Sequence, residues 1–218
     1  MMNPTIKSMK FQEDGRVILT LDNKKKLRTN ENTVIELSLA SGMVLTQDIL
    51  DRVEALDNYQ ACLKKAFDLL SRRPHGTREL RNKLYRGQKF VKYDIDRVMA
   101  EVEKLGYLDD EEFCRLFIED SFNLKPNDGP AKIRQKLRMK GIEGHVIDNV
   151  MREMARDPDE EFDTLIVLAE RKWLSYRDDL PLQKKKEKLY RFLAGRGFAS
   201  HVIGRVVREI SQNGRGVN

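Results

Sequence analysis

The side chains best suited to chemistry in this chain are three histidines, two cysteines and a run of acids, and the sequence keeps them apart. His145 and His201 each stand just ahead of an apolar helical stretch and His75 lies far from both, so these positions suit helix starts better than ligands or proton carriers. Asp109, Asp110, Glu111 and Glu112 could hold a cation, yet acids are also favoured at the first turn of a helix by its dipole, which accounts for them more simply. Cys62 and Cys114 lack the CxxC spacing of a zinc site or redox pair, and the expectation is two small buried thiols in reducing surroundings. The glycines are scattered and form no phosphate-binding loop. Trp173 and Tyr176 could stack on bases, but their place beside an apolar helix predicts core and rim. An enzyme is therefore not expected, and neither is a metal or a cofactor.

What remains is charge. The formal net charge is +6. Residues 1–58 hold 8 Lys/Arg against 9 Asp/Glu, so the excess lies in the rest of the chain, at 33 against 26. It gathers in three clusters: six bases and one acid over 77–92, five and none over 131–140, six and one over 184–196. Segregated basic surface can hold a polyanion or an acidic protein groove. The candidate contacts are Arg72, Arg73, Arg81, Lys83 and Arg86 in the first cluster. Lys132, Arg134, Lys136, Arg138 and Lys140 belong to the second, and Lys184, Lys185, Lys186, Lys188 and Arg191 to the third. Taken singly, each cluster could equally be a solvated helix face; three at equivalent repeat positions point to function.

The elements that carry these clusters repeat. Setting Val98, Val150 and Val206 in register gives periods of 52 and 56 residues. In each copy two apolar residues four apart (Leu80 and Leu84, Ile133 and Leu137, Leu189 and Leu193) mark one face of a basic helix. A turn follows, Gly141-Ile142 in the second copy and Gly197-Phe198 in the third, where glycine can take the left-handed conformation that ends a helix. A second apolar helix comes next, with Ile95, Val98, Met99 and Val102 in the first copy. Two such helices cannot bury both apolar faces alone, so a leading third helix is required and neighbouring units should stack.

In chain order, residues 5–29 read as a β-hairpin around the β-forming run Arg16–Leu21, a turn at Asp22-Asn23 and a polar return strand whose Lys24, Lys25 and Lys26 would protect its edge. Glu31 to Ala40 reads as a short helix. Thr46 caps a helix reaching toward Leu70, with a break expected near Asp57-Asn58. Thr77 is expected to cap the first basic helix, Pro130 to open the second, and Ser211 to Asn218 to fray. The expected division is 1–55 for the extension, then 56–108, 109–156 and 157–218 for three repeats. The N-terminus has no hydrophobic signal core and no run nears the roughly 18 apolar residues of a membrane span, so a cytosolic protein is expected.

The string from Leu69 to Leu80 (LLSRRPHGTREL), then Leu105 to Phe113 (LGYLDDEEF), then Gly129-Pro130 with Ile133, Leu137 and Lys140-Gly141-Ile142, resembles the RecX family of bacterial recombination regulators. Arg196-Gly197-Phe198 fits the same pattern, and the N-terminal stretch resembles an extension seen in some members. Gly87-Gln88-Lys89-Phe90 departs from it, since the family has a base, a glycine and an apolar residue in direct succession there. The resemblance implies a mainly α fold: three tandem three-helix repeats in an elongated, curved array, with the small β-hairpin ahead of them. It further implies a monomeric, non-enzymatic regulator that binds the RecA recombinase and its filament on single-stranded DNA, restraining ATP hydrolysis, filament growth and strand exchange. A DNA-binding module that acts without RecA, and a helical protein adaptor, are the alternatives. Helix, glycine turn and helix share the outline of a helix-turn-helix, but Asp148 and Glu153 on the second helix speak against base readout.

Overall fold

The computed structural model describes residues 3–87, 89–123, 127–155 and 157–213, the side chains of Pro158 and Asn213 excepted. They form two compact units: Met1–Arg73 with Leu80–Tyr107, and Pro74–Glu79 with Leu108–Asn218.

The first unit begins with three strands, β1 (Ile6–Phe11), β2 (Arg16–Leu21) and β3 (Lys26–Asn30), paired antiparallel in that order. In β2 alternation is clean, with Val17, Leu19 and Leu21 buried. The expected hairpin is β2–β3; β1 adds a third strand. Its sequence hides this, because the apolar residues Ile6 and Met9 are three apart rather than two or four. A register shift between Ile6 and Ser8 absorbs the odd residue, pairing Ile6 with Leu21 and Met9 with Leu19, so that both meet the core.

Helix α1 (Glu31–Glu36) is capped by Asn30, whose side chain accepts from Thr33 N–H at 2.9 Å. It stops at Leu37 rather than reaching Ala40, and Ser38 turns with φ +50°. Helix α2 (Gln47–Leu70) is capped by Thr46 as expected, but it runs 24 residues with no break at Asp57-Asn58. The Asp57 carboxylate accepts from Thr29 Oγ1 at 2.8 Å, Asn30 Nδ2 at 2.6 Å and Thr33 Oγ1 at 2.7 Å. Aspartate is a poor helix former in isolation, and here tertiary hydrogen bonds override that preference. The boundary expected at residue 55 thus falls inside one continuous helix that serves both the sheet and the first repeat.

The first repeat combines the C-terminal part of α2 with α3 (Thr77–Tyr85) and α4 (Lys92–Lys104). Cys62, Ala66, Leu80, Leu84, Ile95, Val98, Met99 and Val102 are all buried. The second repeat is α5 (Asp110–Asn123), α6 (Pro130–Lys140) and α7 (Gly144–Glu153), closed over Phe113, Ile118, Ile133, Leu137, Ile147 and Val150. The third is α8 (Pro158–Leu174), α9 (Leu182–Gly195) and α10 (Ser200–Asn213), closed over Leu165, Ala169, Leu189, Leu193, Ile203 and Val206. In both, the basic helix ends in a left-handed glycine, Gly141 at φ +90° and Gly197 at φ +84°. Ser211 and Asn213 belong to α10 rather than to a frayed tail; residues 214–218 lie outside the described part. Among the described residues no helix is long and apolar enough to cross a membrane.

Candidate nucleic-acid and protein interface

Inside the second unit the repeats are joined by one device, used twice. The start of a basic helix abuts the glycine turn of the following repeat. A side chain at Gly76 would lie 2.8 Å from Ile142 Cδ1, and one at Gly141 would lie 2.4 Å from Arg78. At the next junction Gly129 N–H donates to the Arg196 carbonyl at 2.8 Å and Ala131 N–H to that of Gly197 at 3.1 Å, so turn carbonyls cap α6. A side chain at Gly197 would stand 2.5 Å from the Lys132 backbone nitrogen. Each junction also pairs an acid from the earlier helix start with the base just before the next glycine. Glu79 meets Lys140 at 3.2 Å and Asp128 meets Arg196 at 3.8 Å.

The acidic cluster serves helix starts. Asp109 accepts from the backbone of Glu111 and Glu112, each at 2.9 Å, and so caps α5. Asp110 accepts Thr77 N–H at 2.7 Å, so the start of α3 is capped from another helix and Thr77 is its first residue rather than its cap. Glu111 and Glu112 flank Arg115, which reaches Glu153 at 3.0 Å. His145 and His201 are exposed second residues of α7 and α10, and His75 is buried. Burial pushes the thiols of Cys62 and Cys114 up to about 11, the reverse of what a nucleophile needs. Trp173 and Tyr176 pack edge to face, 6.3 Å apart, against the third core.

The fifteen candidate cations divide by what holds them. In the first cluster Arg72 and Arg73 are exposed after α2, Arg81 is ion-paired with Asp96, Lys83 is half-buried, and Arg86 is exposed just past α3. In the second, Lys132 pairs with Asp128 at 2.9 Å, Lys136 pairs with the same carboxylate, and Arg134 pairs with Asp148 at 3.0 Å. Lys140 is held by Glu79, which leaves Arg138 as the exposed base without an ion pair to a described residue. Burial alone would raise the Asp128 carboxyl; the hydrogen bonds from Lys136 and Lys132 outweigh it and hold the group below its ordinary value.

The third cluster is different. Lys184, Lys188 and Arg191 are exposed, Lys185 and Lys186 are half-buried, and none of the five forms an ion pair with a described residue. The single acid of α9, Glu187, accepts from Gln183 at 3.1 Å. No acid stands in the first turn of α9, although Lys184 does, where the helix dipole disfavours positive charge. Tyr190, 38% exposed, sits on the same helix among these bases. It is the stacking candidate missed by the sequence reading; its signal was an aromatic one residue from Arg191, on a helix whose apolar face is already filled by Leu189 and Leu193. Lys172, also missed, lies 5.3 Å from both the Tyr176 and Phe192 rings.

Family models match two parts of this chain: the second three-helix domain of RecX over residues 109–151 and the third over 159–207. Regulatory protein RecX of Chlorobium phaeobacteroides is 35% identical over 151 residues, covering 67% of this chain and 94% of that one. The protein of the same name from Clostridium acetobutylicum is 28% identical and covers 94% of each chain. A crystal structure of regulatory protein RecX superposes with a TM-score of 0.74 at 22% identity, covering 93% of this chain and 98% of that one. With the ordered motifs, the doubled glycine junction and the relative in Chlorobium phaeobacteroides in agreement, this chain belongs to the RecX family.

Proposed function

We propose that the protein is a non-catalytic, cytoplasmic regulator of homologous recombination and DNA repair. It binds the RecA recombinase and the RecA filament on single-stranded DNA, and by occupying them limits ATP hydrolysis, filament growth and strand exchange. The relatives' printed role, regulatory protein, supports the general reading. The observation that carries the finer one is the set of cations on α9 that form no ion pair with a described residue. Described acids do not neutralise them, and phosphate or acidic protein surface could, with counterion release driving association.

The test is RecA-catalysed ATP hydrolysis on single-stranded DNA, titrated with this protein at moderate salt. Inhibition well below one copy per RecA is the expected result. Inhibition only once the protein covers the DNA would favour a plain DNA-binding module, which the same cations could support, and no effect would leave an adaptor for some other protein.

A further inference from the structure

The second unit contains a cavity of about 490 Å³, lined by α6, α7, the first half of α8 and Phe198. That is the size of a small-ligand site. Phe122, Met151, Met154 and Phe198, all half-buried, supply its apolar wall, and methionine moulds itself to a guest. The polar groups of the wall fall into two sets. Arg134 and Asp148 satisfy each other at 3.0 Å, and Asp128 is met by Lys132, Lys136 and Arg196. Glu161, in the first turn of α8, and Arg152, exposed on α7, form no ion pair with a described residue. The Glu161 Oε1 atom is buried and accepts no hydrogen bond. A buried acceptor in that condition has given up hydration without replacement, so an incoming donor gains more there than at a satisfied group.

We propose that this cavity binds a nucleotide whose base carries an exocyclic amine, cytosine, adenine or guanine, the amine donating to Glu161 and the phosphate meeting Arg152. A base is flat and apolar on its faces, which suits aromatic and thioether walls, and its amine is a neutral donor of the kind a carboxylate accepts. A cationic amine fits less well: once the three bases that hold Asp128 are counted, basic groups around the cavity outnumber acidic ones. A neutral donor tied to an anion has no such conflict. Thymine and uracil would turn a carbonyl oxygen toward the carboxylate and are disfavoured. The nucleotide comes either free or as an unstacked base of single-stranded DNA, and only the second source rests on the function proposed above.

The test is titration of the full chain with dCMP and with dUMP, each up to about 10 mM, followed through the methionine methyl groups by NMR. The two nucleotides carry equal charge and differ by one amino or carbonyl group, so basic surface elsewhere binds them alike. The expected result is that dCMP shifts the methyls of Met151 and Met154, leaves the exposed Met139 unmoved, and binds about tenfold more tightly than dUMP. Glu161→Ala should erase that preference, and Arg152→Ala should bring dCMP down to the affinity of deoxycytidine. Unfolding curves matched to the parent exclude misfolding in either variant. A short single-stranded dC oligomer that displaces dCMP and binds more tightly identifies DNA as the source, and one that does not displace it identifies free nucleotide. Equal affinity for dCMP and dUMP, shifts confined to other methionines, or a preference that survives in folded Glu161→Ala would each overturn the proposal. RecA takes no part in these titrations, so their failure leaves the filament reading to its own test.

Discussion

Helices α6 and α9 are built on one plan. Two fully buried residues four apart, Ile133 and Leu137 or Leu189 and Leu193, are surrounded by lysines and arginines on the rest of the cylinder. In α6 four of the five candidate cations are held by Asp128, Asp148 and Glu79. In α9 none of the five is held by a described acid. A basic cluster read from sequence is thus two things at once. One is an internal fastening, within its own repeat through Asp128 and Asp148 and to the preceding basic helix through Glu79; the other is an outward-facing potential. The distinction rests on where acids from other elements fall, as Asp128 does, and helix periodicity carries no information about that.

The shared core can be probed first, where the two helices should behave alike. Leu137→Ala and Leu193→Ala should each lower stability by about 2–5 kcal/mol, read from denaturant unfolding, since both side chains are 0% exposed. A large loss in one helix only would break the common plan.

Next come the fastenings, where they should differ. Gly197→Ala should cost about 2 kcal/mol or more, because φ is +84° and the new atom meets the Lys132 backbone at 2.5 Å. Gly204→Ala, in open space within α10, should be neutral or slightly stabilising by the same assay. Asp128→Asn should cost about 1–3 kcal/mol by leaving Lys132 and Lys136 without their partner, whereas Glu187→Gln in α9 should change stability by under about 0.5 kcal/mol.

The same carboxylate predicts a pH dependence. The folded-state pKa of Asp128 lies below its ordinary value of 3.8, so its contribution is present in full above that value and is lost as pH falls through the lower, folded one. Acid unfolding of the parent and of Asp128→Asn should therefore converge below about pH 4, the difference between them being greatest at neutral pH. Parallel curves at every pH would contradict this. Smallest of all, single substitutions Lys184→Ala or Lys188→Ala should leave the melting curve unchanged while lowering the slope of log K against log salt for single-stranded DNA by about one each.

Much of this architecture was legible from side-chain spacing. The paired apolar residues of each basic helix, the glycines at 141 and 197, the Thr46 cap and the need for a leading third helix in each repeat all follow from periodicity and end signals. What escaped depends on partners distant in sequence. Asp57 looks like a helix breaker until the three donors from the sheet side are seen, and β1 looks irregular until the register shift puts Ile6 and Met9 on one face. The fifteen cations of the three clusters are legible in the sequence, Lys172 is not, and neither is which of the fifteen are held: Asp148 lies 14 residues from Arg134, and Glu79 lies 61 from Lys140.

The most direct test sets the two helices against each other. Binding to RecA filaments on single-stranded DNA, with thermal unfolding in the same buffer, would be measured for two fourfold reversals to glutamate: Lys184, Lys185, Lys186 and Lys188 in α9, and Lys132, Arg134, Lys136 and Arg138 in α6. The α9 variant should melt like the parent and lose about tenfold or more in filament affinity. The α6 variant should melt at lower temperature, because it places new negative charge beside Asp128 and Asp148. Full binding by a well-folded α9 variant would contradict the assignment of the outward-facing role to α9.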